Sequence, residues 1–200
     1  AGPTPTGPNG AAVGAGGRFR AVTNPILVSP SAEPVFWADL HGQSEETIGT
    51  NSAETYFAFA RDKAFLDICA PQGNDFQVTD TFFRRLERLA RRRSRAGRFV
   101  VFPGYEWSGN TPLGGDRNVL FFDRGVVSRS CRVLIPPGEA SFPDSPTAIA
   151  LFRNLRRYRP LIFAHVGGRY ADMTQHEEGT EIGVEIHSAW GTFEWLLEDA

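Results

Sequence analysis

Several kinds of residue are scarce in this chain of 200 residues, and each scarcity removes a class of explanation. Two cysteines, Cys69 and Cys131, are too few for a disulfide scaffold and lack the spacing of a metal motif. Cys69 sits in the apolar run FLDICA and reads as a small buried hydrophobe, which leaves the redox compartment open. No apolar run approaches the roughly 20 residues that a membrane-spanning helix requires. Excess charge is missing as well. With 21 Lys and Arg against 23 Asp and Glu, the net charge is −2, so no large field attracts nucleic acid or an anionic membrane. Lys63 is the sole lysine, a bias of genome composition rather than of function. A starting Met, a charged leader and an apolar signal core are all lacking. The chain opens on Ala1 and stops at Ala200 just as GTFEWLLEDA turns helical. Both ends are therefore expected to be cut, and the compartment, exported or cytoplasmic, stays unassigned.

What is present suffices for one globular domain, since 41% of the residues are hydrophobic. Residues 1–34 stand apart. AGPTPTGPNGAAVGAGG (1–17) reads as a linker, and RFRAVT alternates like a strand before prolines lead out of it. That piece reads as the end of an upstream β-sandwich domain, with a disordered tail equally open. From residue 35 the pattern changes. VFWADL (35–40), FLDICA (65–70), RFVVFPG (98–104), NVLFFD (118–123), PLIFAH (160–165) and IGVEIHS (182–188) read as strands. Helices are expected over about 53–64 with Ser52 as cap, about 81–93 with Asp80 as cap, and from Ser145-Pro146 to about Tyr158. The proline-rich segment 124–144 reads as a loop excursion. Apolar strands alternating with amphipathic helices predict an α/β fold with a largely parallel sheet or barrel.

Polar residues follow the strands in a repeated way. Asp39, His41 and Gln43 follow the first, and Gln72, Gly73, Asn74 and Asp75 the second. Tyr105, Glu106 and Trp107 come after the third, His165 to Arg169 after a later one, and Glu185, His187 and Ser188 close the last. In parallel α/β folds the carboxyl ends of the strands share one rim, and sites are built there. His, Glu, Asp and Gln converging on such a rim suit a divalent cation. Taken singly the signals are weak: Glu106 could pair with Arg117 or Arg169, His176 reads as solvated, and Asp67 reads as a structural acceptor. Trp37, Tyr105, Trp107 and Trp190 lie near the expected rim and read as packing rather than as a stacking surface.

The stretches FWADLHGQSEETIG, FLDICAPQGNDF, FPGYEWSG, GGDRNVLFF and VEIHSAWGTFEW together resemble the DUF3604 proteins of the polymerase-and-histidinol-phosphatase (PHP) superfamily, over residues 35–200. The resemblance implies a distorted, TIM-like β/α barrel, here truncated at its C-terminus, with up to three divalent metals at the strand ends. It further implies hydrolysis of phosphate esters. By position, His41 matches the first histidine of a His-x-His motif, and Gln43 stands where the second is expected. Gly73-Asn74 replaces an Asp-His pair, with Asp75 as a substitute one position on. Glu106 matches the bridging acid and His165 a later histidine. Glu185 and His187 fall near another motif without a firm place.

Two readings follow. In the first, the chain is a metal-dependent hydrolase, phosphoesterase-like, with metal ligands His41, Gln43, Asp75, Glu106, His165 and His187. Glu106 and His165 would serve the chemistry, and Arg117 or Arg169 would clamp a small anionic substrate such as a phosphate ester. Mn²⁺, Zn²⁺ or Mg²⁺ are the candidate ions, with Mn²⁺ and Mg²⁺ favoured by the scarcity of histidine. In the second, the substitutions have emptied the site and the domain is a catalytically silent binding module. Separately, the 200-residue piece by itself is expected to fold poorly and to turn over substrate feebly or not at all, and no nucleic-acid partner is expected.

Overall fold

The computed structural model describes residues 34–197, so the strand expected near 18–23 lies outside the described residues. The chain divides into two compact units, Ala1–Phe36 and Trp37–Ala200, and all elements named below belong to the second. It is a mixed α/β structure. Strands β1 (Ala38–Gly42), β2 (Ile68–Pro71) and β3 (Val100–Val101) form a parallel sheet in that order. Strands β4 (Gly104–Ser108), β5 (Asp116–Leu120), β6 (Leu161–His165) and β7 (Glu181–Glu185) form a second sheet, also in chain order. Within it β5 runs antiparallel to both neighbours, while β6 and β7 are parallel.

The segment expected as one strand over 98–104 is broken at Phe102-Pro103, because proline has no N–H to offer a ladder. Past the break, a parallel bridge between Asn74 and Glu106 carries the end of β2 onto β4. Strands β1, β2, β4, β6 and β7 thus run one way and bring their carboxyl ends to a common rim. A short hairpin, β8 (His187–Ser188) with β9 (Gly191–Thr192), sits beyond β7. Among the described residues the sheets do not close into a barrel. The outer edges of β1 and β7 stay unpaired and meet only through side chains, His41 Nδ1 lying 2.8 Å from Glu185 Oε2.

Helix α1 (Ala53–Asp62) starts as expected, the Ser52 hydroxyl accepting from Thr55 N. Helix α2 (Asp80–Arg93) is capped by Thr79 rather than Asp80, the Thr79 hydroxyl accepting from Phe82 N at 3.0 Å. Asp80 is used differently. Its carboxylate turns inward and pairs with the fully buried Arg129 at 2.8 Å. Helix α3 (Ala148–Leu155) likewise begins later than expected, capped by Thr147, because Ser145 is buried with its hydroxyl on Ser128 at 2.6 Å. The apolar faces of the three helices meet the sheets in one core that includes Phe57, Phe83, Leu86, Trp107 and Leu151.

The excursion 124–144 is irregular, as the prolines predict, yet it is tied down. Arg129 donates to the carbonyls of Val78 (2.7 Å), Val127 (3.3 Å) and Glu139 (3.2 Å), and so laces the excursion to the start of α2. Asp80 in turn accepts from Ser141 N at 2.8 Å. Removing one member of a buried ion pair strands the other, which costs about 3–5 kcal/mol. Arg129→Ala is therefore expected to lower the chemical-denaturation stability by about that much. A loss under about 1 kcal/mol would show that the excursion does not depend on this side chain.

Candidate metal centre

Three side chains at the rim offer ligand atoms within 4.8 Å of one another: His41 at the end of β1, Glu106 in β4 and His165 at the end of β6. Strand alternation places them. In β4 the odd residues Tyr105 and Trp107 are fully buried in the core, so Glu106 between them faces the opposite side, where the cleft is. Its backbone is clamped on both sides, Glu106 N donating to Gly73 O at 3.0 Å and Asp75 N donating to Glu106 O at 2.8 Å. Its carboxylate spans Ser108 Oγ (3.3 Å) and His41 Nε2 (3.1 Å). Ligands at about 2.1 Å in a tetrahedral site lie about 3.4 Å apart, so the spacing of Glu106 and His41 suits a shared cation.

Glu185 completes the arrangement from β7. One of its oxygens lies 2.8 Å from His41 Nδ1 and 3.1 Å from His165 Nδ1, and it accepts from Asn118 Nδ2 at 2.5 Å. The His165 contact is close but out of line for a hydrogen bond, which leaves that nitrogen buried and unsatisfied. A carboxylate behind an imidazole fixes its ring and tautomer, the usual support of a metal-ligating histidine. Burial opposes charge on His41, but its hydrogen bonds to Glu106 and Glu185 outweigh this and push its pKa up to about 10. Burial alone would raise Glu185; its hydrogen bond to His41 and the close approach of the His165 imidazole hold it at about 2 instead. The pocket is thus built to carry positive charge between two carboxylates. Two nitrogens and one oxygen suit Zn²⁺ or Mn²⁺, and three protein ligands leave a coordination position for water or substrate.

The cluster opens into a cleft of about 680 Å³, whose lining also includes Asp39, Gln43, Asn74, Asp116, Arg169 and Trp190. Asp39 accepts from His41 N at 3.0 Å and from Tyr56 Oη at 3.0 Å, fixing the backbone at the ligand. Desolvation, with Glu106 nearby, raises the Asp116 pKa to about 6. Arg169 donates to Asp116 through N (2.9 Å) and Nε (3.0 Å), and among the described residues its Nη atoms have no hydrogen-bond partner. Gly167 is required by close approach. A Cβ there would sit 2.6 Å from Trp190 Cδ1 and 2.7 Å from His165 Cε1, so any side chain would displace the ligand.

Of the other residues expected at the site, Gln43 and His187 line the cleft, and His187 stands outside the His/Glu cluster. The Gln43 carbonyl oxygen is occupied by the Thr47 hydroxyl at 2.6 Å. Two expectations are corrected. Asp75 does not reach the cleft: Asn74 faces it, and alternation turns Asp75 the other way, where its fully buried carboxylate accepts from Ser130 N and Ser130 Oγ. Arg117 lies on the far side of β5 from Asp116 and Asn118. It is fully buried, ion-paired to Glu181, and donates to the carbonyls of Gly114 and Asp172, so it cannot clamp a substrate. Trp107 and Tyr105 are core residues, as expected, whereas Trp190 is 71% exposed and lines the cleft. Asn118 and Asp116 were overlooked, although the strand GGDRNVLFF alternates so as to put both on Glu106's side.

No family model matches the chain, and no curated protein matches it. Several solved structures do, two of them as follows. One is a two-domain protein from Bacteroides vulgatus containing a "predicted PHP-like metal-dependent phosphoesterase", with a TM-score of 0.53 and 14% identity over 82% of this chain and 48% of that one. The other, from Bifidobacterium adolescentis, is provisionally assigned as a metal-dependent phosphoesterase. Its TM-score is 0.55 at 12% identity, over 82% of this chain and 83% of that one. The chain thus spans about half the length of the first structure, and at such identities the likeness is one of fold.

Two outcomes follow from this geometry. A cation that binds only the folded protein raises stability by RT ln(1 + [L]/Kd), about 2.7 kcal/mol at a hundredfold excess over Kd. Zn²⁺ or Mn²⁺ is expected to raise the melting temperature, His41→Ala and Glu106→Gln to abolish the shift, and Glu185→Gln to weaken metal affinity about 10–100-fold. Equal shifts in all four proteins would disprove the assignment. Asp75 supplies a pH test. Desolvation raises its pKa from 3.8 to about 7, so the folded protein holds the proton more tightly than the unfolded chain does. Its contribution is most favourable below pH 4 and is lost as pH climbs from about 4 to 7. Asp75→Asn is expected to flatten that decline in urea melts, and profiles of identical shape would contradict it.

Proposed function

We propose that the unit from Trp37 onward is a metal-dependent phosphoesterase of PHP type, related to the DUF3604 proteins, and that its sheets are part of a distorted TIM-like barrel. The observation that carries this reading is the His41–Glu106–His165 cluster at the mouth of a cleft that also holds Arg169. The two solved structures named above are described as metal-dependent phosphoesterases by prediction, the first as PHP-like, which supports the reading without assigning a substrate.

A divalent ion on these three residues supplies a Lewis acid and a bound water of lowered pKa. The chain's own groups do the rest. Glu185 and Asn118 hold the ring of His41, Ser108 holds Glu106, and the free Nη atoms of Arg169 receive the phosphate of a small ester. Asp116 orients Arg169 from behind. Because β5 buries Arg117, the anion clamp of this reading is Arg169 alone.

A second reading, a silent binding module, draws on the diversion of Gln43 to Thr47 and on the absence of Asp75 and His187 from the ligand cluster. Hydrolysis of p-nitrophenyl phosphate and its bis-ester by Mn²⁺- or Zn²⁺-loaded full chain decides between the two. The phosphoesterase reading expects turnover that chelation and Glu106→Gln abolish. It also expects Arg169→Ala to raise KM about tenfold or more with a smaller effect on kcat. Stoichiometric metal without turnover of either ester would favour the silent module.

A further inference from the structure

A second cleft, of about 750 Å³, lies where β5 ends and β6 and β7 begin. His165 and Glu185 stand at the opposite ends of β6 and β7. Four residue steps at about 3.3 Å separate Leu161 from His165 by about 13 Å, so the metal cluster has no part in this cleft. Four arginines line it, Arg124, Arg156, Arg157 and Arg159, against one acid, Asp123. Even that acid is engaged, since Arg91 pairs with it at 3.1 Å.

A solvated basic face accounts for only part of this. Arg156 has a partner in Glu177, and Arg157 lies over the Tyr158 ring at 4.9 Å while donating to its hydroxyl at 2.8 Å. Among the described residues the side chains of Arg124 and Arg159 have neither an ion-pair nor a hydrogen-bond partner. Arg159 is also held in left-handed backbone, φ 48°, at the end of the 3₁₀ turn Arg156–Tyr158. A residue with a Cβ avoids that region unless its surroundings impose it. Apolar side chains join the lining, among them the exposed Phe122 (66%) and Ile182 (53%). Phe122 is steadied by an edge-on contact with Phe102 at 5.6 Å.

We propose that this cleft binds a small organic polyphosphate bearing a flat apolar ring, the chemical class of a nucleoside diphosphate. Arg124 and Arg159 take the phosphates and Phe122 with Ile182 takes the ring. Guanidinium forks match phosphate oxygens two at a time, and several uncompensated cations in one hollow call for more than one negative charge. The volume falls within the roughly 300–1,000 Å³ of small-ligand pockets, and an aromatic ring packs on Phe122 by offset or edge contact. The site is one of binding, with no reaction assigned to it.

Calorimetric titration of the full chain with ADP, inorganic pyrophosphate and adenosine tests this. The titrations are run in chelator on both the wild type and His41→Ala, so the outcome does not depend on the metal cluster or on the phosphoesterase reading. One ADP per chain is expected, bound at least tenfold more tightly than pyrophosphate, with adenosine weaker than either. Arg124→Ser/Arg159→Ser should lose tenfold or more in ADP affinity with an unchanged melting temperature, since both residues are exposed. Phe122→Ser should erase the advantage of ADP over pyrophosphate. No saturable ADP binding below about 1 mM, or undiminished binding in the double variant, would overturn the proposal. Pyrophosphate binding as tightly as ADP would overturn the ring assignment. Affinity for single-stranded oligonucleotides that grows with length while ADP fails would overturn it in favour of a polyanion surface.

Discussion

One contact spans the open seam of this fold: the imidazole of His41, set between the carboxylates of Glu106 and Glu185. It joins the first strand of the sheets to the last, whose backbones do not pair. Glu106 belongs to a strand between them, so three separate strands converge on one ring. Each carboxylate there is largely removed from water, and two such groups so close together repel unless positive charge lies between them. That requirement sets the chemistry of the site. Protonated His41 satisfies it, and a divalent cation held by His41, Glu106 and His165 would satisfy it equally. The rest of the cleft follows: Asp39 and Tyr56 fix β1 at His41, Asn118 fixes Glu185, and Gly167 leaves room for His165.

Much of this was legible because the side-chain period of a strand is strict. The polar tails of successive apolar runs pointed to a shared rim, and His41, Glu106 and His165 do assemble there. The same period explains the failures. Asp75 and Arg117 each neighbour a residue that faces the cleft, so each faces away, and both became structural groups satisfied by Ser130 and by Glu181. A chemically suitable residue one position off register is on the wrong side of the sheet. Glu185 stands out in the stretch VEIH, but its role depends on β1 and β7 approaching each other across an unpaired gap, a long-range fact that no local pattern carries.

Element boundaries shifted for a related reason. Asp80 and Ser145 are good caps by type, yet each lies within reach of a buried partner, Arg129 and Ser128, that a local reading cannot include. Threonine one or two residues away takes the cap instead. The antiparallel course of β5 was similarly hidden, since strand direction follows from where the irregular segments 109–115 and 124–144 return the chain. The polar lining left at the rim is oxygen-rich, with three imidazoles among several carboxylates and amides. That composition suits a divalent cation and differs from the sulfur ligands of structural zinc sites.

The central claim is that His41, Glu106 and His165 jointly hold one divalent ion. X-ray absorption at the zinc edge of the loaded full chain tests it most directly. The account predicts two imidazole nitrogens and one carboxylate oxygen at about 2.0–2.2 Å, with one imidazole lost in His165→Ala. A first coordination sphere without imidazole, or one unchanged in that variant, would contradict it.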